Sequence, residues 1–340
     1  MTKTAFITGI TGQDGPYLAK ILLNKGYQVY GMVRNMPTPN LYGISFLNIK
    51  DKVQLIFGDL SNIKSIEDAL LEVKPDEIYH LASQSSVINS WSNCLNTLST
   101  NADSSTPFLE YVKKNPKTKL FLAQSSELFG KNLENHEKNN FEPCSPYGVA
   151  KLASYHLGKI FREKYDLFIV NGLFYIHESP LRNINFFSRK VSQTVARIAA
   201  GVEKEIVLGN IDLYRDVGFA GDYMEAVYLA LQREVPDDYI IATGQCTLLR
   251  DFVKEAFAEV GIDDYEKYLR FEKSYFRKND PVKIMGFPQQ TFQKLNWKPN
   301  TTVIEIVKQM LSHDIEFIKN PQNLESQCVI PYSSMLQNRS

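Results

Sequence analysis

The feature that most constrains this chain is its opening: the apolar run TAFIT passes directly into GITGQDG, which spaces Gly9, Gly12 and Gly15 three residues apart. Glycine at those points lets a strand turn sharply into a helix. It also lets backbone amides and the positive end of the helix dipole come close to an anion, a diphosphate above all. The spacing alone is a weak signal. Between a strand and a helix it predicts a dinucleotide site, with Thr11, Gln13 and Asp14 completing the turn.

The same unit then recurs. Runs rich in β-branched and aromatic residues begin at positions 5 (AFIT), 28 (QVYGMV), 53 (VQLIF), 77 (EIYHLA), 119 (KLFLA) and 168 (FIVNGL). Helical patterns separate most of them, at Tyr17–Lys25, Ser65–Val73, Thr106–Lys114 and Tyr147–Lys164. Such alternation implies right-handed crossovers and a parallel sheet covered on both faces. The expected fold is α/β: a doubly wound parallel sheet of the Rossmann type with a smaller, mixed α/β substrate-binding domain.

After about residue 175 the rhythm breaks. HESPLRNINFF reads as loop, EIVLG and YIIATG as short strands, and Arg189–Ala200, Leu249–Val260 and Val303–Lys319 as helices. The expected division is a dinucleotide-binding domain at 1–175 with about 213–242, a substrate domain at 176–212 and 243–320, and a poorly ordered tail at 321–340.

Composition excludes several functions. Lys+Arg and Asp+Glu both number 38 in the 340 residues, so no global basic field points to nucleic acid. The 4 cysteines, Cys94, Cys144, Cys246 and Cys328, lie far apart with no C-x-x-C pair, and only 5 histidines are scattered along the chain. Neither a metal site nor a disulfide framework is signalled, and a reducing cytoplasm is expected. The amino-terminal apolar run is too short for a membrane span, so no membrane partner is expected.

The strand ends refine the cofactor. An NAD enzyme usually carries an acid at the end of its second strand, where it bonds the ribose hydroxyls. Here the stretch is MVRNM, with Arg34 and no acid, which favours a 2′-phosphate and therefore NADP. Asp59 and Leu60, in GDL after the third strand, are placed to meet the adenine. Leu81, Ala82, Gln84 and Ser85, in LASQS, end the fourth strand at the sheet's carboxyl edge.

SPYGVAKL sets Tyr147 and Lys151 one helical turn apart on one face. An ammonium beside a phenol favours the phenolate, so Tyr147 can take a proton from a sugar hydroxyl as hydride leaves the same carbon. Upstream, QSSELFG puts Glu127 directly after two hydroxyls at a strand end, and hydride transfer alone needs no such carboxylate.

In order, ITGITGQDG, GDL, PDEIYHLASQS, SSELFG, SPYGVAKL, HESP, SRK, LGN, RD, DY, IATG and YFR make the chain resemble the extended short-chain dehydrogenase/reductase family, and within it the GDP-mannose 4,6-dehydratases. The resemblance runs from residue 2 to about 320. It implies bound NADP, a nucleotide sugar bearing guanine, and a redox-neutral loss of water. By that resemblance Ser125, Glu127, Tyr147 and Lys151 are catalytic. Glu127 would take the hydrogen that a carbon-4 ketone has acidified on carbon 5 and pass a proton to the hydroxyl leaving carbon 6. His177 and Arg182 would lie near the cofactor, while Ser126, Glu178, Lys190, Asn210, Arg215 and Arg277 would meet the substrate. Helices near Asn93–Lys114 and Tyr147–Lys164 would build a homodimer, with a homotetramer as the larger alternative.

Three departures touch specificity and assembly. Ile176 stands where the family has an asparagine, Gln124 replaces a small serine, and NMPTPNLYGISF differs from the family's serine-rich loop. Two other readings stay open. A nucleotide-sugar epimerase or 4-keto reductase needs the tyrosine and lysine but no base for carbon 5, and a non-catalytic NADP-binding protein needs none of the three.

Overall fold

The computed structural model describes residues 2–130, 140–276 and 280–320. The predicted tail at 321–340 and Arg277 lie outside the described residues.

The first strand, β1 (Thr4–Thr8), gives way to helix α1 (Asp14–Asn24), and β2 (Gln28–Val33) follows beside it. After the short helix α2 (Tyr42–Phe46) come β3 (Val53–Phe57), α3 (Ile63–Val73) and β4 (Glu77–His80). Helices α4 (Val87–Ser92), α5 (Cys94–Asn101) and α6 (Thr106–Lys114) lead to β5 (Lys119–Ser125), and the long α7 (Pro146–Tyr165) leads to β6 (Ile169–Phe174). Every expected strand of this half is present.

Those six strands and a later one, β11 (Asp238–Ile241), form one sheet in the order β11-β6-β5-β4-β1-β2-β3, with every neighbouring pair parallel. Strand order reverses between β1 and β4. Side chains alternate across β1: Ala5 and Ile7 pack with α1 residues Leu18 and Leu22, whereas Phe6 packs with Ile66 of α3 and Phe108 of α6. Central strands β4 and β6 are buried along their whole length, while edge strand β3 leaves Phe57 exposed. Continuous apolar runs in the middle of the sheet and alternation at its rim are what two covering layers require.

The second half contains β7 (Ile176–Glu178), α8 (Phe187–Ala199), β8 (Ile206–Leu208), β9 (Tyr214–Arg215), β10 (Val217–Phe219), α9 (Ala220–Leu231), β11 (Asp238–Ile241), β12 (Thr247–Leu248), α10 (Leu249–Ala258), β13 (Leu269–Phe271), β14 (Lys283–Ile284), α11 (Gln289–Leu295) and α12 (Val303–Lys319). Helices α8, α10 and α12 bury Val195, Phe252, Phe257 and Met310 in a core of their own, closed by Ile206 and Leu208 of β8. A capping box at Thr302 and Glu305 starts α12 at the predicted residue.

Of the elements that the sequence did not reveal, two bear on the site. Part of HESPLRNINFF is strand β7, which pairs in parallel with β10. Helix α9 was not expected because AGDYMEAVYLAL is apolar on most sides, and the structure packs it between α1 and the sheet. With Glu225 its one fully exposed residue, α9 has too narrow a polar stripe to read.

Candidate active site

A parallel sheet delivers every strand's carboxyl end to one edge, and the candidate residues gather there in strand order. Gly9 follows β1, Arg34 follows β2, Asp59 follows β3, Leu81 to Ser85 follow β4, Ser125 to Glu127 end β5, and His177 lies in β7 just beyond β6.

The glycine turn depends on close backbone approach. Gly9 has φ +78°, and a Cβ there would lie 3.0 Å from the Ala82 nitrogen. A Cβ on Gly15 would lie 2.4 Å from the Gly9 carbonyl oxygen, so α1 can begin this close to β1 only without a side chain at that point. Thr11 and Gly12 are exposed on the lip of the turn. Beneath it, at the reversal point, the Thr8 hydroxyl accepts from the Ala82 amide at 3.0 Å and lies 2.9 Å from His80 Nδ1. Thr8 and His80 were not singled out in the sequence. Their signal is positional: each is the last residue of its strand, and they face each other in the register.

Arg34 is exposed and makes no ion pair among the described residues. Asp59 is partly engaged in its own turn, accepting from the Ser61 amide at 2.9 Å and the Ser61 hydroxyl at 2.8 Å. Leu60 is half-buried beside it. The Gln84 backbone is pinned to the Asn101 side chain by two hydrogen bonds of 2.9 Å, which leaves Ser85 exposed.

At the reacting end, Ser145 caps α7 by accepting from the Gly148 amide at 3.1 Å, and Pro146 occupies the first turn. Gly148 presses against the turn that follows β5: a Cβ there would lie 2.7 Å from the Glu127 carbonyl oxygen. That contact brings Tyr147 to Ser125 and Glu127. The Ser125 hydroxyl and the Glu127 charge both act on the phenol. The Ser125 hydroxyl also accepts from the Glu127 amide at 3.2 Å, with half-buried Ser126 between them.

Protonation in this cluster is displaced from ordinary values. Burial pushes the Tyr147 phenol up to about 12, partly offset by the Ser125 hydroxyl, while the Glu127 carboxylate pushes it the same way as burial does. Burial lowers the Lys151 ammonium to about 8 and, with Lys151 nearby, lowers His80 to about 3. Lys151 Nζ donates to the Ala123 carbonyl at 2.7 Å. The expected phenolate-stabilising ammonium is therefore turned toward the backbone of β5, and Tyr147 is a protonated phenol here.

Residues beyond β6 divide into two groups. His177 bonds Asp14, and its backbone carbonyl accepts from Gln13 Nε2 at 3.0 Å, tying β7 to the glycine turn. Ser179, not foreseen, donates to Gln13 Oε1 at 3.0 Å. The others make their main contacts within the protein. Arg182 lies 3.2 Å from the buried Glu178 carboxylate, which also accepts from Ser188, and stacks over Phe186. Arg215 is buried against Asp280 at 2.7 Å, Lys190 lies over the Tyr275 ring, and Asn210 accepts from the Asp212 amide. The adjacent Asp216, not foreseen as a site residue, accepts from the Thr243, Gly244 and Gly286 amides and holds this region against the end of β11. Gln124 faces away from Ser125, buried within hydrogen-bond distance of Ser154 and Asn171. Ile176 is half-buried at the start of β7.

Among the described residues, no group of three His, Cys, Asp or Glu side chains is placed to hold a metal, and no helix is long and apolar enough to cross a membrane.

The sequence model of the family described as GDP-mannose 4,6 dehydratase matches residues 6–310. The GDP-mannose 4,6 dehydratase of Homo sapiens is 38% identical over 348 residues, covering 94% of this chain and 94% of that protein. Among solved structures, dTDP-glucose 4,6-dehydratase from Bacillus anthracis in complex with NAD superposes with TM-score 0.80 at 17% identity, over 96% of this chain and 100% of that one. RMD from Pseudomonas aeruginosa complexed with NADPH gives 0.76 at 20% identity, over 93% and 99%.

Lys151 generates a stability prediction. Its pKa falls from 10.5 to about 8 on folding, so the folded protein holds fewer protons than the unfolded chain between those values. The cost of burying the charge is full below pH 8 and is relieved as pH rises toward 10.5. Lys151→Met should therefore stabilise the protein at pH 7 by about 1–3 kcal/mol, and the gain should shrink above pH 9. Urea denaturation of nucleotide-free protein at both pH values checks this; a less stable methionine variant at pH 7 contradicts it.

Proposed function

The chain belongs to the GDP-mannose 4,6-dehydratase family, and on that footing we propose that it removes water from GDP-mannose, or from a related GDP-hexose or GDP-heptose, to give the 4-keto-6-deoxy sugar with NADP as its cofactor. A nicotinamide cofactor and a 4,6-dehydratase, or hydro-lyase, activity accord with the relatives' names. The observation that carries the reading is the Glu127 carboxylate beside Tyr147 at the end of β5.

Gly9, Gly12, Gly15, Arg34 and Asp59 would hold the cofactor. When bound, it supplies an acceptor and then a donor for the one hydride that moves from sugar carbon 4 to carbon 6. Tyr147 takes the proton of the carbon-4 hydroxyl, with Ser125 bonded to the same oxygen. Only the phenolate can take that proton, and burial holds Tyr147 protonated, so its own proton must first pass to solvent, a loss that becomes favourable when Lys151 turns its ammonium from the Ala123 carbonyl toward the phenol. Once carbon 4 is a ketone, Glu127 removes the carbon-5 hydrogen and protonates the hydroxyl leaving carbon 6 as water; as carbon 6 gains its hydride, the solvent-exchangeable proton held by Tyr147 passes to carbon 5. Lys190 and Arg215 are proposed to serve the nucleotide end, in a domain comprising 176–212 and 243–320.

Incubation with GDP-mannose in deuterated water should give a 4-keto-6-deoxy product carrying solvent deuterium at carbon 5. An epimerised sugar with carbon 6 still hydroxylated would instead support the epimerase reading. Glu127→Gln should lower kcat by about 10²–10⁴-fold, the contribution of a positioned base; unimpaired turnover would remove Glu127 from the mechanism.

NADP rests on Arg34, an exposed guanidinium at the strand end where a 2′-phosphate is read. Arg34→Ser should weaken NADP+ binding about tenfold or more and leave NAD+ binding nearly unchanged. Calorimetric titration with both nucleotides decides it, and equal losses for the two would refute the assignment.

A homodimer is proposed on helices α4, α5 and α7. Trp91 and Leu95 are 67% and 84% exposed, and Val149 and Ile160 continue an apolar stripe on α7, which packs against α5. Sedimentation equilibrium at micromolar concentration should give twice the 38.9 kDa chain mass or a larger multiple. A monomer would overturn it.

A further inference from the structure

The glycine turn carries its own obstacle to an anion. Asp14 is the first residue of α1, so a carboxylate stands at the helix end whose amides would hold a diphosphate. Burial opposes its ionisation, but the charge and hydrogen bond of His177, with Arg182 and Gln13 assisting, hold its pKa below the usual carboxylate range. Asp14 therefore remains an anion, and its side chain keeps 24% of its surface exposed, so its field reaches whatever occupies the turn. Two like charges a few ångströms apart in a partly buried site repel strongly.

His177 answers that charge. Its Nδ1 lies 2.8 Å from the Tyr175 carbonyl oxygen, and its Nε2 lies 3.1 Å from both carboxylate oxygens of Asp14. A carbonyl and an ionised carboxylate only accept, so both ring nitrogens must donate and the ring is an imidazolium. Burial opposes that charge as well, yet Asp14 and the Tyr175 carbonyl raise the pKa above its ordinary value. Gln13 completes the arrangement, donating to Asp14 Oδ1 at 3.2 Å and to the His177 carbonyl at 3.0 Å. The neighbouring cation, Arg182, is already matched by Glu178 at 3.2 Å.

We propose that His177 is a positioning residue whose charge cancels that of Asp14, so that the glycine turn presents a neutral, clamped edge to the diphosphate of the cofactor. The inference rests on the dinucleotide reading given above. It assigns His177 no contact with the cofactor itself. Its effect passes through Asp14, and an uncharged replacement harms binding by unmasking a carboxylate rather than by losing a ligand contact.

That difference is measurable as rescue. NADP+ affinity would be determined by isothermal titration calorimetry on the full-length protein, His177→Gln, Asp14→Asn and the double variant, with thermal melts confirming folding. His177→Gln should bind NADP+ at least tenfold more weakly, and Asp14→Asn in the same chain should restore affinity to within about threefold of the parent. Asp14→Asn alone leaves the imidazolium unopposed and should bind NADP+ at least about threefold more tightly than the parent, and it serves as the deciding variant if His177→Gln does not fold. Unchanged affinity in His177→Gln, absence of rescue in the double variant, or affinity in Asp14→Asn no higher than the parent's would each overturn the proposal. A parent protein that binds neither NADP+ nor NAD+ would overturn the dinucleotide reading, and this inference with it.

Discussion

Two helices begin where no side chain fits, and the rest of the site depends on that closeness. The start of α1 rests on the Gly9 carbonyl through Gly15, and the start of α7 rests on the Glu127 carbonyl through Gly148. The first contact aims the amides of α1 at the sheet edge. The second carries Tyr147 to the end of β5, where Ser125 and Glu127 already stand. A methyl group at either glycine would push helix from strand by up to about an ångström, enough to misalign groups that must meet at short range.

Around that edge the buried polar groups fall into two kinds. Two clusters away from it are matched and act as frame. Glu77, at the amino end of β4, is bonded by Lys3 at 2.9 Å and by Tyr27 and Tyr79, while Asp238 is bonded by Arg162 at 2.7 Å, by Tyr155 and by Asn171. Near Tyr147 the groups are held with displaced proton affinities instead: a raised phenol, a lowered ammonium and a histidine kept neutral at ordinary pH. Satisfied networks specify a fold, whereas displaced ones keep protons ready to move.

The second half carries a different constraint. The loop after β2, which differs from the family's pattern, places Tyr42 of α2 against His313 of α12, and His313 in turn meets Arg189 of α8 at 3.2 Å. Arg189 is paired with Asp314, and Ser192 donates to the same carboxylate at 2.7 Å. The loop is thus bound to its own chain's helical layer through a buried chain of polar contacts. Gln124 has a similar explanation: its amide meets Ser154 and Asn171 inside the frame, and the pocket-facing position of that strand end belongs to Ser125.

Local pattern sufficed for much of this molecule. The six strands of the first half, the Gly9 to Gly15 turn, the Tyr147 and Lys151 spacing and the start of α12 follow from period, glycine and caps, because those signals act over a few residues and leave their mark within them. Helix α9 and strand β7 were not legible, since burial on most sides narrows a helix's polar stripe and a three-residue strand is too short to show a period. The pairings of charges were decided only by the tertiary structure. Nothing in GQDG or HESP says that Asp14 and His177, 163 residues apart, share a bond, or that Lys151 turns to the Ala123 carbonyl. A residue's type gives its capacity for charge. Which partner it meets, and how much water it keeps, depends on parts of the chain that the sheet brings together.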